Sequence, residues 1–382
     1  MKILKKEERI LKENLLDSKR NTRVFNKSFD VQLLIISVTV LTLAGILEVW
    51  SSSFVYSISH KHTPYFFIER QVAFVVLGAI LAYLFYRMDY GILRKGSYFF
   101  LLLSFFSLLL LYFGFGDSIR GACRWLKIGG FSFQPSELAR FSIVLYAAHF
   151  LAKKGNKIIN FRTGFLPLYL VICLFSLLVI VEPDIGSAML IVVTVLTVMY
   201  VAGARIFHII LGISPMITGT IFVILIHPSR VHRLMQFFNH TVIFQVQQSL
   251  ITIGSGGLFG KWAQGGGSYK NLFLPDAYND FILSGMGEDF GFIGIFVVTA
   301  AIFCLIFSIF HIALRVKDDF ARYVCLGIGI SIAYQSIINM GTAVGLLPSK
   351  GITLPFVSYG GTSLVTNFVI MGILLSIVSR NA

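Results

Sequence analysis

Ten apolar runs divide this chain, at approximately 31–55, 66–86, 97–115, 137–152, 165–182, 186–203, 207–227, 282–314, 323–347 and 354–379. Each is close to the ~20 residues a helix needs to cross ~30 Å of hydrocarbon, and 137–152 is the shortest. Backbone in lipid must satisfy its hydrogen bonds internally, so such runs fold as helices packed in a bundle. Only 13% of the residues are charged and 56% are hydrophobic, against roughly 25% charged in soluble domains. The expected fold is an all-α polytopic membrane protein of about ten transmembrane helices.

An even number of spans puts both termini on one side. On that arrangement about two-thirds of the 32 Lys and Arg fall on the side of the termini, in the basic tail, at Arg87, Arg94 and Lys95, and around Lys153 to Arg162. The positive-inside rule then makes both termini cytoplasmic and explains the net charge of +14 without nucleic acid, which is excluded as a partner. Residues 1–30 read as a retained cytoplasmic basic tail, because no short apolar core with a small-residue cleavage site follows them. Residues 31–380 form one integral domain. Cys173, Cys304 and Cys325 lie inside apolar runs and read as small hydrophobes.

The same count places the 228–281 loop, between the seventh and eighth helices, outside the cell. It is too polar and Gly-rich for lipid, and long loops of this kind are where soluble chemistry takes place. Arg230 and Arg233 open it, and Gly254-Ser255-Gly256-Gly257 and Gly265-Gly266-Gly267 follow. Neither run follows a strand or ends in Gly-Lys-Ser/Thr, so no nucleotide is expected. Asp276 and Asp280, four apart, precede the next helix. One reading is a helix cap, the other a general base at the interface. Glu288 and Asp289 continue the acidic character.

Other polar residues cluster on the same side. Ser136, after Pro135, reads as a helix N-cap. Glu137 and Arg140, three apart, share a helix face, either as a structural ion pair or as functional groups. Trp125 with Arg124 and Lys127 reads as an interfacial anchor, with binding of a lipid phosphate as the alternative. In the turn Glu182-Pro183-Asp184, Asp184 is a cap or, with Glu182, a ligand for a divalent cation. Lys350 is a cation suited to phosphate beside the broken segment that runs to Ser358-Tyr359-Gly360-Gly361. Glu48, deep in the first run, needs a partner or a proton.

Five of these stretches, in order, resemble the SEDS family: Gln134-Pro135-Ser136-Glu137-Leu138-Ala139; Glu182-Pro183-Asp184; Gln248-Ser249-Leu250 with Gly254 to Leu258; Leu274-Pro275 through Asp280-Phe281; and Gly351-Ile352-Thr353-Leu354-Pro355-Phe356 with Ser358 to Gly361. The family contains FtsW, RodA and SpoVE. Gly351 to Phe356, the Glu-Pro-Asp turn, Ala202-Gly203-Ala204-Arg205 and the tail look more like FtsW than RodA. The resemblance implies a peptidoglycan glycosyltransferase of the bacterial inner membrane. Such a protein polymerises lipid II, an undecaprenyl-pyrophosphoryl disaccharide-pentapeptide, at the outer face for septal wall synthesis. Its implied partners are a class B penicillin-binding protein, other division or elongation proteins and membrane lipid.

By the same resemblance the family's essential loop aspartate falls on Asp280, its tryptophan on Trp125 and its acid–base pair on Glu137 and Arg140. Arg140 stands where Lys is usual, Tyr278-Asn279 where His-Thr is common, and Glu48 where an apolar residue is usual. The expected site is Asp280 as general base. Arg124, Trp125, Glu137, Arg140, Lys350, Ser358 and Tyr359 are expected to contact substrate, with Asp184, Asp276 and Glu288 in support. A divalent cation, magnesium or manganese, is a candidate for neutralising the pyrophosphate. The rival readings are a lipid II flippase, with Glu137, Arg140 and Glu48 lining its path, and a non-enzymatic scaffold of the division machinery.

Overall fold

The computed structural model describes residues 2–59, 63–119, 122–128, 131–226, 231, 244–262, 274–348 and 351–381. The first helices are α1 (Lys2–Ser59), α2 (Phe66–Arg87) and α3 (Tyr90–Leu110). Next come α4 (Pro135–Lys154), α5 (Leu166–Val181), α6 (Ile185–Val201) and α7 (Ile206–Ile226). The chain closes with α8 (Phe244–Ser255), α9 (Ile282–Arg315), α10 (Asp319–Ala343) and α11 (Gly361–Arg380). Each of the ten apolar runs holds a helix. Seven helical stretches among the described residues are long and apolar enough to cross a membrane. The fold is a helical, polytopic membrane bundle.

Helix α1 passes through residue 30 without a break, because its first forty residues contain neither Pro nor Gly and are rich in Leu, Lys and Glu. At 58 residues it is about 87 Å long, far more than a bilayer needs. The stretch between α3 and α4 is not helical throughout. It holds an antiparallel sheet of β1 (Gly116–Ile119), β2 (Ala122–Ile128) and β3 (Phe131–Phe133), in that order. Asp117 lies opposite Trp125, and Lys127 opposite Ser132. These strands are too short to show a period in the sequence.

Two apolar cores lie side by side. One joins α1, α2, α9, α10 and α11, the other α5 and α6, and α4 and α10 contribute to both. The central place of α4 explains why its apolar run is the short one. Fourteen of its twenty residues are buried against protein, so Ser, Glu and Arg are tolerated where lipid would exclude them. At the end of the bundle away from Asp280, buried Asp30 of α1 receives Arg315 of α9 at 3.0 Å and His311 at 2.7 Å. These contacts fix α1 on α9.

The glycines of the large loop serve backbone packing. Gly291 has φ +66° and breaks α9, leaving the N–H groups after it without helical acceptors. The segment after α8 supplies them: Phe292 donates to the Gly257 carbonyl at 2.9 Å and Ile293 to that of Leu258 at 3.3 Å. The approach is so close that a Cβ on Gly256 or Gly260 would collide with the carbonyls of Gly287 and Asp289. Gly265 to Gly267 lie outside the described residues.

Candidate active site

Asp280 sits at the end of the turn leading into α9, half-buried. Neither it nor Asp276 caps that helix. The N-cap position is Phe281, without a side-chain cap bond, and Asp276 acts through its backbone. With φ +57°, the carbonyl of Asp276 points back along the turn and accepts from the N–H groups of Asn279 at 3.0 Å and Phe281 at 3.4 Å. Asp280 is thereby presented at the mouth of the bundle.

The segment 351–360 grips this turn. Ser358 Oγ donates to the Asn279 carbonyl at 2.7 Å and accepts the Leu354 N–H at 2.9 Å. The Tyr359 N–H donates to the Tyr278 carbonyl at 3.0 Å. The rings of Tyr359 and Tyr278 pack on Phe67 with centroids at 5.1 and 4.9 Å, and Tyr56 closes the cluster on Tyr278 at 5.3 Å. Burial raises the Tyr359 phenol, partly offset by the charge of Arg70 and its hydrogen bond. Gly351 passes beside the carboxylate; a Cβ there would lie 3.4 Å from Asp280 Oδ2. Ser358, expected from the sequence to contact substrate, thus holds the turn that carries Asp280.

Two amides on α10, one turn apart, complete the frame. Asn339 Nδ2 donates to the carbonyls of Asp280 at 3.1 Å and Ile352 at 2.7 Å. Gln335 Nε2 donates to the Thr353 carbonyl at 2.8 Å, and its Oε1 accepts Arg140 at 2.8 Å. Arg140 also pairs with Glu137 at 2.6 Å, with both side chains buried. The expected pair is thus formed, and a chain of bonds carries it through Gln335 to the segment beside Asp280. Sequence reasoning missed Gln335 and Asn339. The available signal was two amides spaced four apart in an otherwise apolar run.

The sheet and the 182–184 turn form the other wall. The cap of α4 is Gln134, with Pro135 at the first helical position, so Ser136 is not the cap. The Gln134 N–H donates to Thr362 Oγ1 at 3.0 Å, and Thr362 Oγ1 donates to the Ser132 carbonyl at 3.3 Å, stapling β3 to α11. Asp184 caps α6, accepting from the Ser187 N–H at 3.2 Å and Ser187 Oγ at 2.7 Å. Arg124 donates to the carbonyls of Glu182, at 3.2 Å, and of Pro183, so it clamps the turn. Trp125 beside it on β2 is half-buried. Glu288 is buried and pairs with Lys261 at 3.5 Å, away from Asp280. Glu48 lies fully buried against Gly285 and accepts from Ser52. Lys350, Arg230 and Arg233 lie outside the described residues.

Glu182 is buried to 3% exposure, and neither carboxyl oxygen has a hydrogen-bond partner. Burial first, then the Asp184 charge, push its pKa up to about 9, with Arg124 opposing. The folded state then holds a proton that the unfolded chain releases near pH 4.5. Stability from this group is therefore present below about pH 4.5 and lost as pH rises toward 9. Glu182→Gln is expected to flatten that slope and to raise the melting temperature at pH 8 more than at pH 5. An unchanged slope in thermal unfolding would contradict the assignment.

Residues 31–382 match the model of the FtsW, RodA and SpoVE family, described as cell cycle protein. A probable peptidoglycan glycosyltransferase FtsW of Geobacter sp. (strain M18) is 34% identical over 361 residues, covering 93% of this chain and 98% of that protein. Its counterpart in Buchnera aphidicola subsp. Acyrthosiphon pisum is 36% identical over 342 residues, covering 87% and 85%. The crystal structure of the Thermus thermophilus rod shape determining protein RodA is 25% identical, with TM-score 0.64, covering 91% and 96%. A chain of a peptidoglycan synthase complex that coordinates polymerization and crosslinking is 24% identical, with TM-score 0.74, covering 91% and 97%; it supports the fold alone.

Proposed function

This chain belongs to the cell cycle protein family of FtsW, RodA and SpoVE, a peptidoglycan glycosyltransferase by that kinship, and we propose that it polymerises lipid II with Asp280 as general base. The observation that carries the reading is the convergence of the 276–280 turn, the 351–360 segment and the Gln335–Asn339 face of α10 on one carboxylate. Ten spans with both termini cytoplasmic, the arrangement favoured by the Lys and Arg distribution, put Asp280 at the outer face of the bacterial inner membrane.

In the reaction Asp280 takes the proton from the acceptor sugar hydroxyl as that oxygen attacks the donor's anomeric carbon. The bond from that carbon to the lipid pyrophosphate breaks. The leaving pyrophosphate is already a good acid, so it needs neutralisation more than protonation. Two of the expected cations are engaged elsewhere, Arg140 by Glu137 and Gln335, and Arg124 by backbone carbonyls. Their contribution is to hold the walls of the site. Among the described residues no group of three His, Cys, Asp or Glu side chains is arranged to hold a metal. A magnesium or manganese ion would take most of its ligands from the pyrophosphate, and no step depends on it.

Septal wall synthesis with a class B penicillin-binding protein as partner completes the proposal, and the relatives' names support its glycosyltransferase step. The burial of Glu137, Arg140 and Glu48 disfavours a flippase path lined by those residues. The test is purified protein given lipid II, with and without its transpeptidase. Glycan strands are expected. Lipid II that crosses a liposome bilayer without forming polymer would overturn the reading.

A further inference from the structure

We infer that Arg70 binds the pyrophosphate of the lipid-linked substrate, with the isoprenoid tail lying along the outer stripe of α2. The inference rests on the glycosyltransferase reading and assigns one of its substrate contacts. Arg70 stands in the second turn of α2 and is exposed. Its guanidinium lies 4.3 Å from the centroid of the Phe66 ring and hydrogen-bonds the Tyr359 side chain. Among the described residues no carboxylate pairs with it. A guanidinium has five N–H groups, so one phenol leaves most of its fork open to phosphate oxygens.

Three features separate Arg70 from an ordinary interfacial arginine. Its place over the Phe66 ring restrains the guanidinium, whose planar fork suits bidentate phosphate binding. Ala73, Leu77, Ile80 and Leu84 follow it at helical spacing on the same exposed face, giving an apolar track that begins at the cation. A polyprenyl pyrophosphate has this same order of charge and hydrocarbon. Finally, Tyr359 links Arg70 to the catalytic turn, because its N–H bonds the carbonyl of Tyr278, two residues before Asp280.

The test measures binding without turnover, using the full chain in nanodiscs and native mass spectrometry. Undecaprenyl pyrophosphate is the probe. Undecaprenol and phosphatidylglycerol are the comparators, lacking the phosphate and the isoprenoid tail respectively. Arg70→Gln is expected to weaken undecaprenyl pyrophosphate binding about 10- to 100-fold, to leave both comparators unchanged, and to be partly rescued in Arg70→Lys. Arg87→Gln, which removes an exposed cation from the other end of α2 and keeps Arg70, is expected to stay within about threefold of the parent. Equal binding by Arg70→Gln and the parent would overturn the inference. So would an equal loss for phosphatidylglycerol, which would mark a general headgroup contact, or the same loss in Arg87→Gln, which would mark a general effect of removing charge from α2. Failure of the glycosyltransferase reading would appear separately, as absence of polymer from the parent protein.

Discussion

Asp280→Asn is expected to slow glycan polymerisation by about 10²- to 10⁴-fold while leaving the fold intact, the contribution of a general base. Asparagine has the shape of aspartate, and the bonds that hold the turn use backbone atoms. The Asp280 carbonyl still accepts Asn339, and the Asn279 carbonyl still accepts Ser358. What the substitution removes is the carboxylate, and with it the proton acceptor. The prediction is checked with purified protein and lipid II, following chain formation and thermal unfolding in parallel. A folded Asp280→Asn protein that polymerises at near-parental rate would remove Asp280 from the chemistry. Ser358→Ala provides the contrast. It keeps the base but frees the turn, so its loss of rate should come with a lower melting temperature.

The spans were legible because apolar runs of about twenty residues have one physical solution in lipid. Asp184 was legible as a cap because an aspartate before a helix has an evident local bond to make, to Ser187. The same local logic misplaced the cap at Ser136, since Gln134 satisfies its own groups through Thr362, more than two hundred residues away. Bonds of that kind leave no local pattern. Arg70 escaped for a related reason: its meaning depends on Tyr359, brought next to it by the packing of α2 on α11. The density of glycines around Gly257 is visible in the sequence. Their partner was the kink at Gly291, which only the tertiary fold places there.

Glu137→Ala tests whether the buried ion pair is a frame or a reagent, and it is expected to destabilise the protein by about 3–5 kcal/mol. Arg140 would keep its bond to Gln335 but lose its counter-charge, at 5% exposure, in a helix surrounded by protein. Replacing both charges by apolar residues of similar volume, Glu137→Leu with Arg140→Met, removes the uncompensated ion and should recover most of that loss. Stability and activity then separate. If the pair serves as a frame, the double variant unfolds near the parental temperature yet polymerises slowly, because Gln335 has lost Arg140 and no longer fixes Thr353 beside the Asp280 turn. Restoring only the charge with Arg140→Lys, keeping Glu137, should preserve the ion pair and recover part of the rate, since a single ammonium cannot span Glu137 and Gln335 as a fork does. Full activity in the apolar double variant would show that neither charge is needed. The turn would then be held by Asn339, Ser358 and the Tyr359 N–H without the ion pair.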